Sequence, residues 1–166
     1  GRRGVNLSSH AGEGERRETE AVAAEFFEAA AGLFPVCSAS DEFYYFPQVL
    51  SRQGDWSSWD DFGGTAVAEF TGRLLRWERE LAGQAERAAE EDDRIDAAFL
   101  LRTMETLREE LSGHPPHRRQ PTFHLTIVGV GLAEALGSTD PSAWPGRIGG
   151  LPAFLDRASS CLEDVP

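Results

Sequence analysis

The sequence predicts an all-α fold: an antiparallel array of four to six helices, interrupted by one irregular, aromatic-rich loop region. Two observations predict it. From Thr65 to Leu162, apolar residues recur in successive stripes at helical spacing. Glycines and prolines fall between the stripes, at Gly63-Gly64, at Gly113 with Pro115-Pro116, and at Pro141, where connections between helices need them. A chain of 166 residues has the length of one domain. A domain of that size buries roughly 70% of the surface its unfolded chain exposes.

Residues 1–17 are rich in Gly, Ser, Arg and Glu and carry no apolar period. A disordered N-terminal segment is expected there, with a single helical domain from 18 to 166. The first helix is expected from Glu18 to Leu33, with Val22, Phe26, Ala30 and Leu33 on one face, Phe27 widening it and Pro35 stopping it. From Phe34 to Gly64 the chain is irregular, and only short helical turns are expected. Its aromatic block Phe43-Tyr44-Tyr45-Phe46 is expected to pack against the rest, and so are Trp56 and Trp59.

The next helix is the most regular. Val67, Phe70, Leu74, Trp77 and Leu81 alternate spacings of three and four, with Thr65 placed to cap the start. Another opens near Asp92 or Asp93, acids suited to the positive end of a helix. Ile95, Phe99, Leu100, Met104, Leu107 and Leu111 form its apolar side. The stretch from Thr122 to Leu136 is almost continuously apolar and reads as a buried helix entered by Pro121. Gly129 and Gly131 each cost about 1 kcal/mol there against alanine, which close approach of a neighbouring helix would offset. A last pair of turns follows Pro141, with Pro152 in a first turn and Leu151, Phe154, Leu155, Ala158 and Leu162 apolar. The expected core comprises Phe70, Leu74, Trp77, Leu100, Met104, Leu107, Ile127, Leu132, Phe154 and Leu155.

Charge excludes some partners. The net charge is −12 and all basic residues are arginine. Nucleic acid and anionic lipid both select cationic surfaces, so neither is an expected partner. Eleven acids against five arginines lie between Glu78 and Glu110. The solvated outer faces of two helices account for them, although a basic partner could use them too. There is no apolar run long enough to span a membrane and no apolar signal region. With only two cysteines, this points to the cytoplasm. The chain begins at Gly1 rather than Met, consistent with a native start further upstream.

Chemical motifs are few. Cys37 and Cys161 have neither CxxC nor Cys/His spacing, so free thiols are expected. Val128-Gly129-Val130-Gly131 lacks the third glycine and the following acid of a dinucleotide loop. His114-Pro115-Pro116-His117 is broken by prolines and flanked by Arg118-Arg119, so a solvated turn is expected rather than a metal pair. No metal-binding and no catalytic residue is assigned. The most site-like patch is Asp41 and Glu42 beside Tyr44 and Tyr45, carboxylates and rings able to hold a cationic group or move a proton. Capping by Ser40 or Asp41, with the rings in the core, is the competing reading. His124, on the apolar stretch, is the candidate base, and a hydrogen-bonded core histidine is its plainer reading.

One resemblance covers roughly Phe34 to Pro166 and is best after Asp92. Arg94-Ile95-Asp96, Leu100-Leu101, Leu107 to Leu111 and Gln120-Pro121-Thr122-Phe123 come first. Leu151-Pro152-Ala153-Phe154-Leu155, Leu162 and Val165-Pro166 follow in the same order. This order resembles the N-terminal helical region of the bacterial family catalogued as domain of unknown function 885. The resemblance implies a helical scaffold from a zinc-dependent, peptidase-like hydrolase, with zinc bound by an HExxH motif in a C-terminal half outside this chain. It implies that the present helices form one wall of a peptide-substrate cleft and pack against that half. The block from Phe43 to Phe46, with Asp41-Glu42, departs from the family pattern. As such a fragment, the chain should expose a large apolar patch. The alternatives are an acidic helical interaction module without enzymatic activity, or a small enzyme in which Asp41, Glu42, Tyr44 or Tyr45 converges with His124.

Overall fold

The computed structural model describes residues 7–49, 55–88 and 90–163, with side chains from residue 18 onward. The described residues are all-helical, and they contain no strand. Five long helices are α1 (Leu7–Leu33), α2 (Gly64–Arg87), α3 (Glu91–Ser112), α5 (Pro121–Gly137) and α6 (Ala143–Cys161), with a single turn, α4 (Pro116–Arg119), between α3 and α5. α1 already runs from Leu7, upstream of the start expected at Glu18. Of the segment 1–17 expected to be disordered, residues 1–6 lie outside the described residues.

α1, α2 and α3 pack as an antiparallel group. Buried Thr19 donates to Gln84 Oε1 at 2.9 Å and Trp77 Nε1 donates to Glu25 at 3.1 Å, so α1 and α2 run in opposite directions. α3 returns along α2, tied by Arg108 Nε to Glu78 at 2.8 Å. The stripe Val67, Phe70, Leu74, Trp77 and Leu81 is buried as its spacing requires, together with Val22, Phe26 and Ala30 of α1. Thr65 is not the cap of α2. Gly63 holds that position, and no side chain caps the helix.

α5 and α6 form a second antiparallel pair, tied by Arg147 to Glu134 at 3.0 Å. The irregular segment between α1 and α2 fills the space between the two groups. Two 3-10 turns, Cys37–Ala39 and Asp41–Phe43, interrupt it. Phe34 is fully buried and meets the rings of Phe46, Phe62 and Phe70 at 4.9–5.3 Å. Phe43 reaches Phe123 of α5, and Trp59 stacks on Phe154 of α6 at 5.1 Å. Buried Asp60 holds the first turn by accepting from Val36 N at 2.7 Å and from Cys37 N at 3.2 Å.

Several faces differ from the sequence expectation. On α3 the buried line is Asp93, Ala97, Met104, Leu107 and Leu111. Ile95 and Phe99, expected inside, are 55% and 72% exposed. α5 is a helix as expected, yet only one side of it is covered. His124, Ile127, Gly131 and Ala135 are buried while Leu125 and Leu136 are exposed. Leu155, expected in the core, is also exposed. α6 is one helix of 19 residues with Pro152 inside it, not a pair of turns opening at that proline. Pro152 faces solvent, where one lost helical hydrogen bond is tolerated.

Glycines decide how the loop meets α5 and α6. A Cβ at Gly131 would lie 2.7 Å from the Trp59 ring. A Cβ at Gly146 would lie 2.7 Å from Trp56 Cβ, and one at Gly150 would lie 2.0 Å from Ser57 O. The close approach expected at Gly131 is therefore real, but it is made by a loop tryptophan and not by a helix. Gly129 faces open space.

Candidate functional site

A cavity of about 860 Å³ lies at the start of α2, within the range of small-molecule sites. Its floor is apolar, formed by Phe62, Val67 and Leu111, with Leu75 at the edge. Gly63 and Gly64 bring bare backbone to it, because α2 begins there without a side-chain cap. The first N–H groups of a helix have no intrahelical partner and carry its positive end. The N–H of Gly63 is held by Asp61 Oδ1 at 2.8 Å. α4 supplies His117 and Arg118, and the end of α6 supplies Asp156, Arg157 and Cys161.

His117 is not in a solvated turn, unlike His114, which is exposed. His117 is only 2% exposed, and its ring stacks on Phe62 at 5.0 Å. Two prolines bar a long helix here, but they start a single turn that swings the imidazole inward. Burial pushes the His117 pKa down to about 4, helped by His124 and Arg118. The ring is therefore neutral near pH 7, and its Nδ1 has no hydrogen-bond partner among the described residues. Arg118 pairs with Glu163 at the rim, and Glu163 N donates to Arg118 O at 2.8 Å. Cys161 donates to Phe62 O at 3.1 Å, and burial raises its pKa, so it is a thiol and not a thiolate.

The residues singled out from the sequence lie apart from this cavity. Asp41 and Glu42 are exposed on the second 3-10 turn, where Ser40 Oγ accepts from Glu42 N at 3.2 Å. Tyr44 is 82% exposed, with its ring 5.4 Å from that of half-buried Tyr45. Burial pushes the Tyr45 phenol upward. His124 is buried among Phe62, Phe123 and Phe154. Its Nε2 lies 2.7 Å from His117 O, which can only accept, so His124 is the Nε2–H tautomer. Burial lowers its pKa, and that hydrogen bond opposes the shift. Tyr44 and Tyr45 are brought together; neither Asp41 nor Glu42 bonds His124 among the described residues.

Among the buried polar residues that the sequence reading missed are Asp60 and Arg147. Arg147 is fully buried. It bonds the carbonyls of Ser58 and Trp56 and lies 5.3 and 5.1 Å from the Trp56 and Trp59 rings. A signal was present: Glu134, Asp140 and Arg147 are the only charged residues from Pro121 to Leu155. A lone acid and a lone base on adjacent apolar helices mark a buried pair. The acidic stretch from Glu78 to Glu110 carries its own partners, in the Glu78–Arg108, Glu80–Arg76, Glu91–Arg94 and Glu105–Arg102 pairs.

Among the described residues, no three His, Cys, Asp or Glu side chains are grouped to hold a metal ion, and no helix is long and apolar enough to cross a membrane. Comparison with protein-family models, with curated proteins and with solved structures finds no match to this chain.

Proposed function

We propose that the chain is a non-catalytic helical scaffold that acts by packing against another protein surface through the outer side of α5 and α6. In the peptidase-like reading, that surface is a zinc-bearing catalytic half, and the present helices wall its substrate cleft. One observation carries the proposal. Leu125 and Leu136 of α5 and Trp144, Ile148 and Leu155 of α6 are exposed, at 40–69% of their surface. Of the charges within this stretch, Glu134 pairs with the fully buried Arg147, while Asp140 lies exposed at the α5–α6 connection, where it accepts from Trp56 Nε1 at 2.8 Å and from Ser142. In a chain of net charge −12, five large apolar side chains thus stay exposed on two neighbouring helices. Interface cores are depleted in charge in the same way, and a large exposed apolar patch marks an interaction site. The acidic α2–α3 surface is the weaker candidate, because arginines on those helices already pair four of its eleven carboxylates.

The test reads the coding sequence beyond Pro166 and titrates the polypeptide it encodes against this chain. The expected results are an HExxH motif in that polypeptide and saturable binding that survives high salt. Leu136→Glu and Ile148→Glu should abolish the binding without unfolding the chain. A stop codon directly after Pro166 would defeat the peptidase-like reading. Binding that fades as salt rises would move the interface to the acidic face. A dimer in light scattering, dispersed by the same two substitutions, would make the occupant a second copy.

A further inference from the structure

We infer that the cavity at the start of α2 binds a small carboxylate with an apolar body. The inference is independent of the α5–α6 interface. The apolar body fits Phe62, Val67, Leu75 and Leu111, which line a space of about 860 Å³. The carboxylate fits the uncapped first turn of α2, where Gly63 and Gly64 expose backbone to the cavity. Helix N-termini of this kind hold anions through free N–H groups and the helix dipole.

A second observation points the same way. His117 lines the cavity, is 2% exposed, and its ring nitrogens make no hydrogen bond among the described residues. A buried polar atom without a partner is rare in folded proteins, and a ligand is one of its ordinary explanations. Nδ1 is sealed from the cavity, so the neutral imidazole offers such a ligand its Nε2, as donor or acceptor according to tautomer.

Charge along the wall is balanced in an otherwise acidic chain. Asp156 and Glu163 line the cavity with Arg118 and Arg157. Glu163 is taken up by Arg118, and Asp61 by the N–H of Gly63. Arg157 has no ion-pair partner among the described residues, which leaves it for a ligand carboxylate. Cys161 keeps its thiol proton on Phe62 O, so the site binds and does not attack.

The experiment titrates the labelled protein with octanoate and, separately, with octanol, reading backbone amide shifts by NMR. Octanoate should shift the amides of Gly63 and Gly64 saturably, and octanol should bind at least about tenfold more weakly, as one charge-assisted contact implies. Arg157→Gln should raise the octanoate Kd about tenfold. Arg119→Gln, exposed and outside the cavity, should leave it unchanged. Ala68→Phe, at an exposed helical position on the cavity wall, should block binding while the spectrum stays dispersed. Equal affinity for octanol and octanoate would overturn the carboxylate assignment. Shifts that do not saturate, or that survive Ala68→Phe, would overturn the site. An equal loss in Arg157→Gln and Arg119→Gln would reduce the effect to general electrostatics and overturn it as well.

Discussion

Replacing Gly150 by alanine probes the contact that joins the tryptophan loop to α6. The new Cβ would lie 2.0 Å from Ser57 O, 3.0 Å from Ser57 C and 2.9 Å from Trp59 Cδ1. Two of these atoms are backbone, so no change of rotamer relieves the overlap. The loop must lift from α6. Lifting it stretches the bond from Trp59 Nε1 to Arg147 O, now 3.1 Å, and the bonds from Arg147 to Ser58 O and Trp56 O. Overpacking of this kind costs about 1–3 kcal/mol, and each weakened hydrogen bond about 0.5–1.5 kcal/mol. Alanine recovers about 1 kcal/mol of helix propensity. The net expectation is a loss of about 3 kcal/mol, or a fall in Tm of about 6–12 °C for a chain of this length. Gly149 is the internal control. It sits next door on the same helix with nothing within 4 Å of a Cβ, so Gly149→Ala should be neutral or stabilise by up to about 1 kcal/mol. Urea and thermal unfolding followed by circular dichroism give both values. If the two variants agree within about 0.5 kcal/mol, the reasoning fails, because the loop does not then rest on Gly150.

Further tests address the faces and buried polar groups. On α5, Ile127→Ala should cost about 2–5 kcal/mol, since Ile127 is fully buried. Leu136→Ala, at a position 69% exposed, should stay within about 0.5 kcal/mol; equal losses in urea titrations would reverse the assignment of the helix face. Asp60→Ala removes the acceptor for the backbone of Val36 and Cys37 and should cost about 2–3 kcal/mol, whereas an unchanged unfolding midpoint would show that water replaces the carboxylate freely. His117 makes stability depend on pH. Its pKa falls from 6.5 to about 4 on folding, so between those values the unfolded chain binds more protons. Stability is therefore complete above about pH 6.5 and is lost as pH drops toward 4, by about 3 kcal/mol in all. His124, lowered as well, acts in the same direction. His117→Gln should remove its share of that slope, and parallel pH profiles for the two proteins would refute it.

The helices were legible where polar residues frame the apolar ones. On α2, charged and small residues separate Val67, Phe70, Leu74, Trp77 and Leu81, and the spacing alone assigns the buried face. On α5 almost every residue is apolar, so no period exists to separate Ile127 inside from Leu125 outside. On α3 two apolar lines compete. Contact with α2 selects Ala97, Met104 and Leu107 and leaves Ile95 and Phe99 in water. The candidate site was not legible. Its lining runs from Phe62 to Glu163 across four elements, and no local spacing links a glycine pair before one helix to a histidine after another.

By itself the sequence determined the helical class, the order of the elements, the acidic surface and the aromatic filling of the long loop. Those follow from periodicity, glycine and proline placement, and composition, which act over a few residues at a time. Only the tertiary structure decided which glycines matter, which way His117 turns, and where Arg147 goes. Each of these depends on what lies opposite, and the opposing residue is tens of positions away along the chain. Ser57 against Gly150, Phe62 against His117 and Trp56 against Arg147 exist only once the chain has closed on itself.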